Sequence, residues 1–241
     1  MKILDIEKIK LKFIDTLNES GWSTLLKSFI HSEDFTKIIS ELYKLREDGK
    51  RFTPQLKYVF KAFEDCSFDN TRVVILGNDP YPEFDIANGV AFCCQNYGKV
   101  NYPLRLILNE IYATVYPSET IPLKYNPSLS HWSQQGILLL NTSLTCQINK
   151  NITHYYIWKD FITYVIDVLN TKKEELSFLL LGERAQEFED LIDSDKHHII
   201  KASHPDIAVL GRKRAWDSED CFNKLNNTLK NKIIWDIQQN L

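Results

Sequence analysis

The sequence predicts an α/β protein with three layers, α/β/α, around a central four-stranded parallel sheet, preceded by N-terminal helices. Two observations carry this. From Val73 onward, short apolar runs rich in β-branching alternate with amphipathic stretches, the pattern of βα units on a sheet buried on both faces. Before Val73, residues 1 to about 65 place apolar side chains at three- and four-residue intervals, the period of helices that bury one face. With 241 residues, 44% of them hydrophobic, the chain suits one domain over residues 1–241, in which residues 1–50 form a helical extension.

The elements follow in order. Ile6, Ile9, Phe13 and Leu17, then Leu25, Leu26 and Phe29, then Ile38, Ile39, Leu42 and Leu45 mark the early helices, and Asp48-Gly49-Lys50 reads as a helix stop. Pro54 is expected to open a further helix through Val59, Phe60 and Phe63, since proline suits a first helical turn. The expected strands are Val73–Leu76, Ile137–Leu140, Phe178–Leu181 and His198–Ile200; the expected helices centre on 104–115, 158–170, 184–192 and 216–230. Right-handed crossovers then bring all four strand ends to one face.

Charge and cysteine content exclude some classes. A formal net charge of -3 argues against a globally basic protein that coats nucleic acid, although a local basic patch still binds phosphate. Cys66, Cys93, Cys94, Cys146 and Cys221 are an odd number without a CxxC pair, which favours reduced thiols over a disulfide framework or a zinc site. The opening residues lack the apolar core of a signal peptide and no run reaches membrane-spanning length, so a protein inside the cell, with no membrane partner, is expected.

The strand ends carry the chemistry. Val73-Val74-Ile75-Leu76 runs into Gly77-Asn78-Asp79-Pro80-Tyr81-Pro82, a turn that holds a carboxylate and an aromatic ring at the edge where open α/β sheets place ligands. The second strand ends in Asn141, whose amide offers a donor and an acceptor together, and the fourth ends in Ser203-His204-Pro205. Singly, each has a plain reading: Asp79 and Asn141 as turn residues, His204 as an ordinary surface or core histidine. A carboxylate, a carboxamide, an imidazole and rings at one edge instead suit a planar heterocycle that is stacked, read along a polar edge and cleaved from a sugar. One Asp and one His on distant strand ends do not supply three metal ligands, so no metal is expected.

These segments resemble the family 1 uracil-DNA glycosylases. The resemblance lies in Gly77-Asn78-Asp79-Pro80-Tyr81 with Ala87-Asn88-Gly89-Val90-Ala91-Phe92, in Trp132-Ser133-Gln134-Gln135-Gly136 leading to Asn141-Thr142-Ser143-Leu144-Thr145, in Leu181-Gly182, and in Ser203-His204-Pro205. It implies that deoxyuridine is flipped from single- or double-stranded DNA and hydrolysed to free uracil and an abasic site. By that match Asp79 and His204 are catalytic, with Asp79 acting on water and the sugar cation and neutral His204 on the charge growing at O2. Asn78, Tyr81, Phe92 and Asn141 bind the base, with Tyr81 excluding a C5 methyl. Pro82, Gly182, Ser203, Ala208 and Arg212 face DNA, with Lys213 and Arg214 adding to the basic cluster. No cofactor is implied, a monomer is the default, and the location is cytoplasmic, or nuclear for a eukaryotic or viral member. A proteinaceous inhibitor or a replication partner would fit the family.

The chain departs from the family at Asn78, where Gln is usual, and at Pro82, where His is usual. Glu183 replaces a Ser, and Ala208 replaces the Leu expected to wedge into DNA, with Ile207, Val209 and Leu210 as substitutes if the loop is shifted. These changes keep two alternatives open: a catalytically weak DNA-binding or replication-associated subunit, and a glycosylase for another modified pyrimidine.

Overall fold

In the computed structural model, which describes residues 3–94, 102–119, 127–151, 153–206, 216 and 218–235, each of the four apolar runs forms a strand. Three helices come first, α1 (Ile3–Thr16), α2 (Trp22–His31) and α3 (Glu33–Glu47). Ser32 caps α3 by accepting the Phe35 N–H at 3.2 Å, and α3 stops where Gly49 takes a positive φ of 75°. A two-residue strand β1 (Phe52–Thr53) and helix α4 (Lys61–Asp65) lead to β2 (Val73–Gly77). Then follow α5 (Tyr102–Thr114), α6 (Ser130–Gln134), β3 (Ile137–Asn141), β4 (Cys146–Gln147), α7 (Tyr155–Lys172), β5 (Ser177–Leu181), α8 (Glu183–Gln186), β6 (His198–Ala202) and α9 (Cys221–Asn227).

The main sheet is parallel throughout, in the order β3-β2-β5-β6. The chain leaves β2 toward β3 and leaves β5 toward β6, so the order reverses between the adjacent strands β2 and β5. A crevice opens at such a switch point beyond the carboxyl ends of the strands. The register pairs Gly77 with Asn141 and Leu181 with Ala202, which levels those ends.

Alternation along the strands builds two cores and hence three layers. Val74, Leu76, Leu138, Leu140, Phe178 and Leu180 face α7 and the N-terminal helices; Phe60 and Phe161 stack there with centroids 5.2 Å apart. Val73, Ile75, Ile137, Leu139, Leu179 and Leu181 face α5, α9, Trp132 and Trp235. The first three helices thus share one hydrophobic core with the sheet: Phe13, Leu26 and Phe35 are buried in the cluster that holds Leu76 and Phe178. Among the described residues, no helix is long and apolar enough to cross a membrane.

Three expectations need correction. Pro54 does not open a helix: it follows β1, joined to Thr53 by a cis peptide bond, and β1 pairs antiparallel with β4. The chain turns helical only in a 3₁₀ turn at Leu56–Tyr58 and then in α4. The helix expected over 184–192 divides into α8 and a 3₁₀ turn at Glu189–Leu191, and the one over 216–230 shortens to α9 among the described residues.

Candidate active site

The turn after β2 is anchored by its neighbour rather than by its own strand. The Thr142 and Ser143 N–H groups donate to the carbonyls of Gly77 (2.9 Å) and Asn78 (3.0 Å), and the Thr142 hydroxyl adds a 2.7 Å bond to Asn78. Beneath the turn, the buried Cys146 thiol donates to the Pro80 carbonyl at 3.2 Å. These contacts hold Asp79 at the crevice with little backbone freedom.

Gly77 makes room for the Asn141 and Phe92 side chains. A Cβ there would lie 2.8 Å from Asn141 Oδ1 and 2.9 Å from the tip of the Phe92 ring. Phe92 adopts a left-handed φ of 63°, costly for an aromatic residue, and its carbonyl accepts the Tyr81 hydroxyl at 3.0 Å. Burial pushes the Tyr81 phenol well above its usual pKa, so it stays a neutral donor. On the other side of the loop, the Ala91 N–H donates to Leu139 at 3.1 Å, and Asn88 closes an Asx turn onto the Val90 N–H at 3.1 Å. Asn141 is 7% exposed and makes no side-chain hydrogen bond among the described residues, so its amide edge is available to a ligand.

His204 sits behind the same cavity, its ring 5.8 Å from that of Phe92. Burial lowers its pKa to about 4, so the imidazole is neutral at pH 7. Its Nδ1 accepts the Asp206 N–H at 3.2 Å, which leaves the single proton on Nε2. The Asp206 carboxylate is also 3.5 Å from Nδ1, but a nitrogen whose lone pair takes a backbone N–H carries no proton to share with it. Burial, with the nearby Glu83 charge, raises Asp206 to about 6.

Asp79, Tyr81, Pro82, Phe92, Asn141 and His204 therefore line one cavity. Asn151 and Asp206 line it too, and sequence reasoning missed both, because each arrives on a loop without periodicity. Asn78, Gly182 and Ser203 stand outside the lining. The Asn78 amide lies against Gly182, where a Cβ would come within 3.0 Å of its Oδ1, an oxygen that is buried without a partner among the described residues. The Ser203 carbonyl and hydroxyl accept the Trp216 indole N–H at 2.9 and 3.1 Å. Glu183, exposed, opens α8. Ala208 and Arg212, with Ile207, Val209, Leu210, Lys213 and Arg214, lie outside the described residues.

The arrangement can stack a flat ring, bond its edge through one amide, place a neutral N–H donor at one of its oxygens and set a carboxylate beside the attached atom. Comparison with known proteins points the same way. The sequence matches the Uracil DNA glycosylase superfamily over residues 63–230. A uracil-DNA glycosylase of Amoebophilus asiaticus (strain 5a2) is 37% identical over 187 residues, covering 77% of this chain and 82% of its own. One from Acinetobacter baumannii (strain SDF) is 31% identical over 242 residues, covering 100% and 99%. Among solved structures, mimivirus uracil-DNA glycosylase shares the fold with a TM-score of 0.75 at 24% identity, over 88% of this chain and 84% of that chain. A mimivirus variant in complex with UGI gives a TM-score of 0.70 at 26% identity, over 77% and 69%.

Proposed function

The chain belongs to the uracil DNA glycosylase superfamily, and from that membership we propose how its strand-end cavity takes up deoxyuridine and breaks its glycosidic bond. The protein is a DNA-binding hydrolase of N-glycosyl bonds that releases uracil and leaves an abasic site, the opening step of base-excision repair. The observation that carries the mechanism is the convergence of Asp79, Tyr81, Phe92, Asn141 and His204 on one cavity.

The flipped uracil stacks on Phe92. Asn141 donates its NH₂ to O4 and accepts N3–H, and cytosine, which reverses both groups, leaves buried partners unpaired. Tyr81 fills the space beside C5, so the methyl of thymine has no room. As the bond from N1 to the sugar lengthens, its electron pair moves into the base and toward O2, where the His204 Nε2–H donates to the growing charge. A donor already neutral and fixed is worth about 10²–10³ in rate in comparable sites. Asp79 faces the cationic sugar and accepts a proton from the attacking water, while the departing uracil anion takes up a proton.

Pro82, Gly182 and Ser203 are assigned to the DNA side of the cavity, with Glu183 bringing negative charge where phosphates pass. This weakens the grip on the strand without touching the base contacts. The complex of the mimivirus relative with UGI supports a proteinaceous inhibitor as a partner here as well. The test is release of uracil from single-stranded and duplex oligonucleotides, followed by alkaline cleavage at abasic sites. Turnover is expected on at least one form; no release at stoichiometric protein overturns the reading and leaves a DNA-binding subunit in its place.

A further inference from the structure

We infer that the exposed ring of Phe84, backed by Arg51, is a stacking platform for an unpaired base of the substrate strand, one or two nucleotides from the flipped uridine. This rests on the uracil-cavity reading and adds a second contact to the same strand.

The position follows from the loop. Pro82 lines the base cavity, and its carbonyl accepts the Asn149 N–H at 2.9 Å, which pins this point to the chain just beyond β4. Phe84 lies two residues on, so the two Cα atoms are at most about 7 Å apart. A stacked strand advances about 3.4 Å per nucleotide, which places Phe84 within one or two steps of the extruded base.

The chemistry fits a nucleobase better than bulk water. Phe84 is 62% exposed, and the Arg51 guanidinium stands 4.9 Å from the ring centroid. The cation thus backs the ring and leaves the opposite face open for stacking. The adjoining groove is lined by Tyr43, Arg46, Arg51, Phe52, Phe84 and Ile148 among others. Neither Arg46 nor Arg51 has a carboxylate partner among the described residues, so both guanidiniums remain available to phosphate. Rings interleaved with unpaired cations are the composition of single-strand grooves. The backbone builds the groove as well: the Arg51 carbonyl accepts the Ile148 N–H at 2.9 Å, so the β1 and β4 pairing carries Arg51 to the edge of the cavity loop.

Charge limits how the strand is held. Glu83 and Asp85, both exposed, flank Phe84 and offset much of the field of the two arginines. Affinity at this point therefore comes from stacking more than from counterion release. Because stacking needs a base free of its partner, the platform favours single-stranded over duplex substrate.

Steady-state uracil release from one oligonucleotide sequence, single-stranded and annealed, tests this. Phe84→Ala is expected to raise KM about 5- to 20-fold on the single strand and less than 2-fold on the duplex, with the effect on KM rather than kcat. Phe84→Trp should restore the single-strand KM. Arg51→Gln should raise the single-strand KM and reduce the slope of log affinity against log salt by about 0.7, the loss of one phosphate contact. An unchanged single-strand KM in Phe84→Ala, an equal rise on both forms, or no rescue by Trp overturns the platform. Wild-type protein that releases no uracil fails the underlying reading instead, so the two failures are distinct.

Discussion

Tyr81 joins a proposed role in selectivity to one in architecture. Its ring is proposed to exclude a C5 methyl, while its hydroxyl bonds the Phe92 carbonyl and steadies that residue's left-handed backbone. Tyr81→Ala should therefore admit thymine while slowing uracil release; Tyr81→Phe should keep thymine out at a cost of about 1 kcal/mol in stability, the usual net worth of such a bond. Assays on thymine- and uracil-containing strands, with thermal melts, separate the two, and thymine release by Tyr81→Phe would show that the ring is not the barrier. Asp79→Asn should lower kcat by about 10²- to 10⁴-fold with a native melt; an unchanged rate would remove Asp79 from the reaction. Asp79, Tyr81, Phe92, Asn141 and His204 were legible in the sequence because they sit at the ends of apolar runs or inside family segments. Asp206 was not. Its relevance depends on a backbone N–H that sets the His204 tautomer and on a place in the cavity wall, neither of which leaves a sequence pattern.

At the scale of elements, glycines decide how closely the segments can approach. Gly89 has a φ of 89°, and a Cβ there would meet the Tyr58 carbonyl at 1.7 Å, a backbone atom with nowhere to go. Gly89→Ala should destabilise by more than about 3 kcal/mol, from strain and displacement together. Gly77→Ala should act differently, since the Cβ meets the Asn141 and Phe92 side chains instead of backbone. A loss of kcat/KM of about tenfold or more with a modest fall in Tm is expected, and a Gly77→Ala enzyme with native kinetics would refute the close packing of Asn141 and Phe92. The four main strands were legible because buried parallel strands read as continuous apolar runs. The β1 and β4 pair was not, because two-residue strands have no period to detect, and so Pro54 read as a helix start. Similarly, 184–192 has a helical composition, yet the turn at Phe188 resets the chain into a 3₁₀ segment.

For the molecule as a whole, burying neutral histidines ties stability to pH. His204 and His154 are both held near pKa 4 by burial, against 6.5 when exposed; His154 Nδ1 shares a 2.9 Å bond with Thr145, whose hydroxyl oxygen also accepts the Trp158 indole N–H. Between pH 6.5 and 4 the unfolded chain binds protons that the folded chain does not, so stability falls as pH drops through that window, by roughly 3 kcal/mol per histidine at most. Asp206, raised to about 6, has the opposite sign between pH 6 and 3.8 and offsets part of the loss, reduced because its side chain is partly in solvent. Urea midpoints at pH 7 and pH 5 should show a decrease that shrinks in His154→Gln; equal slopes in the two proteins would mean His154 is not the titrating group. In the proposed mechanism the amide edge of Asn141, presented at the end of β3 and read against a neutral His204, selects the base. The most direct measurement is the identity of the free base released from strands carrying one uracil, cytosine or thymine, by wild type and by Asn141→Asp. Wild type should release uracil alone, and Asn141→Asp should lose uracil release while gaining some for cytosine, whose amino group a carboxylate accepts. Retention of full uracil activity by Asn141→Asp, or release of cytosine by the wild type, would contradict the account.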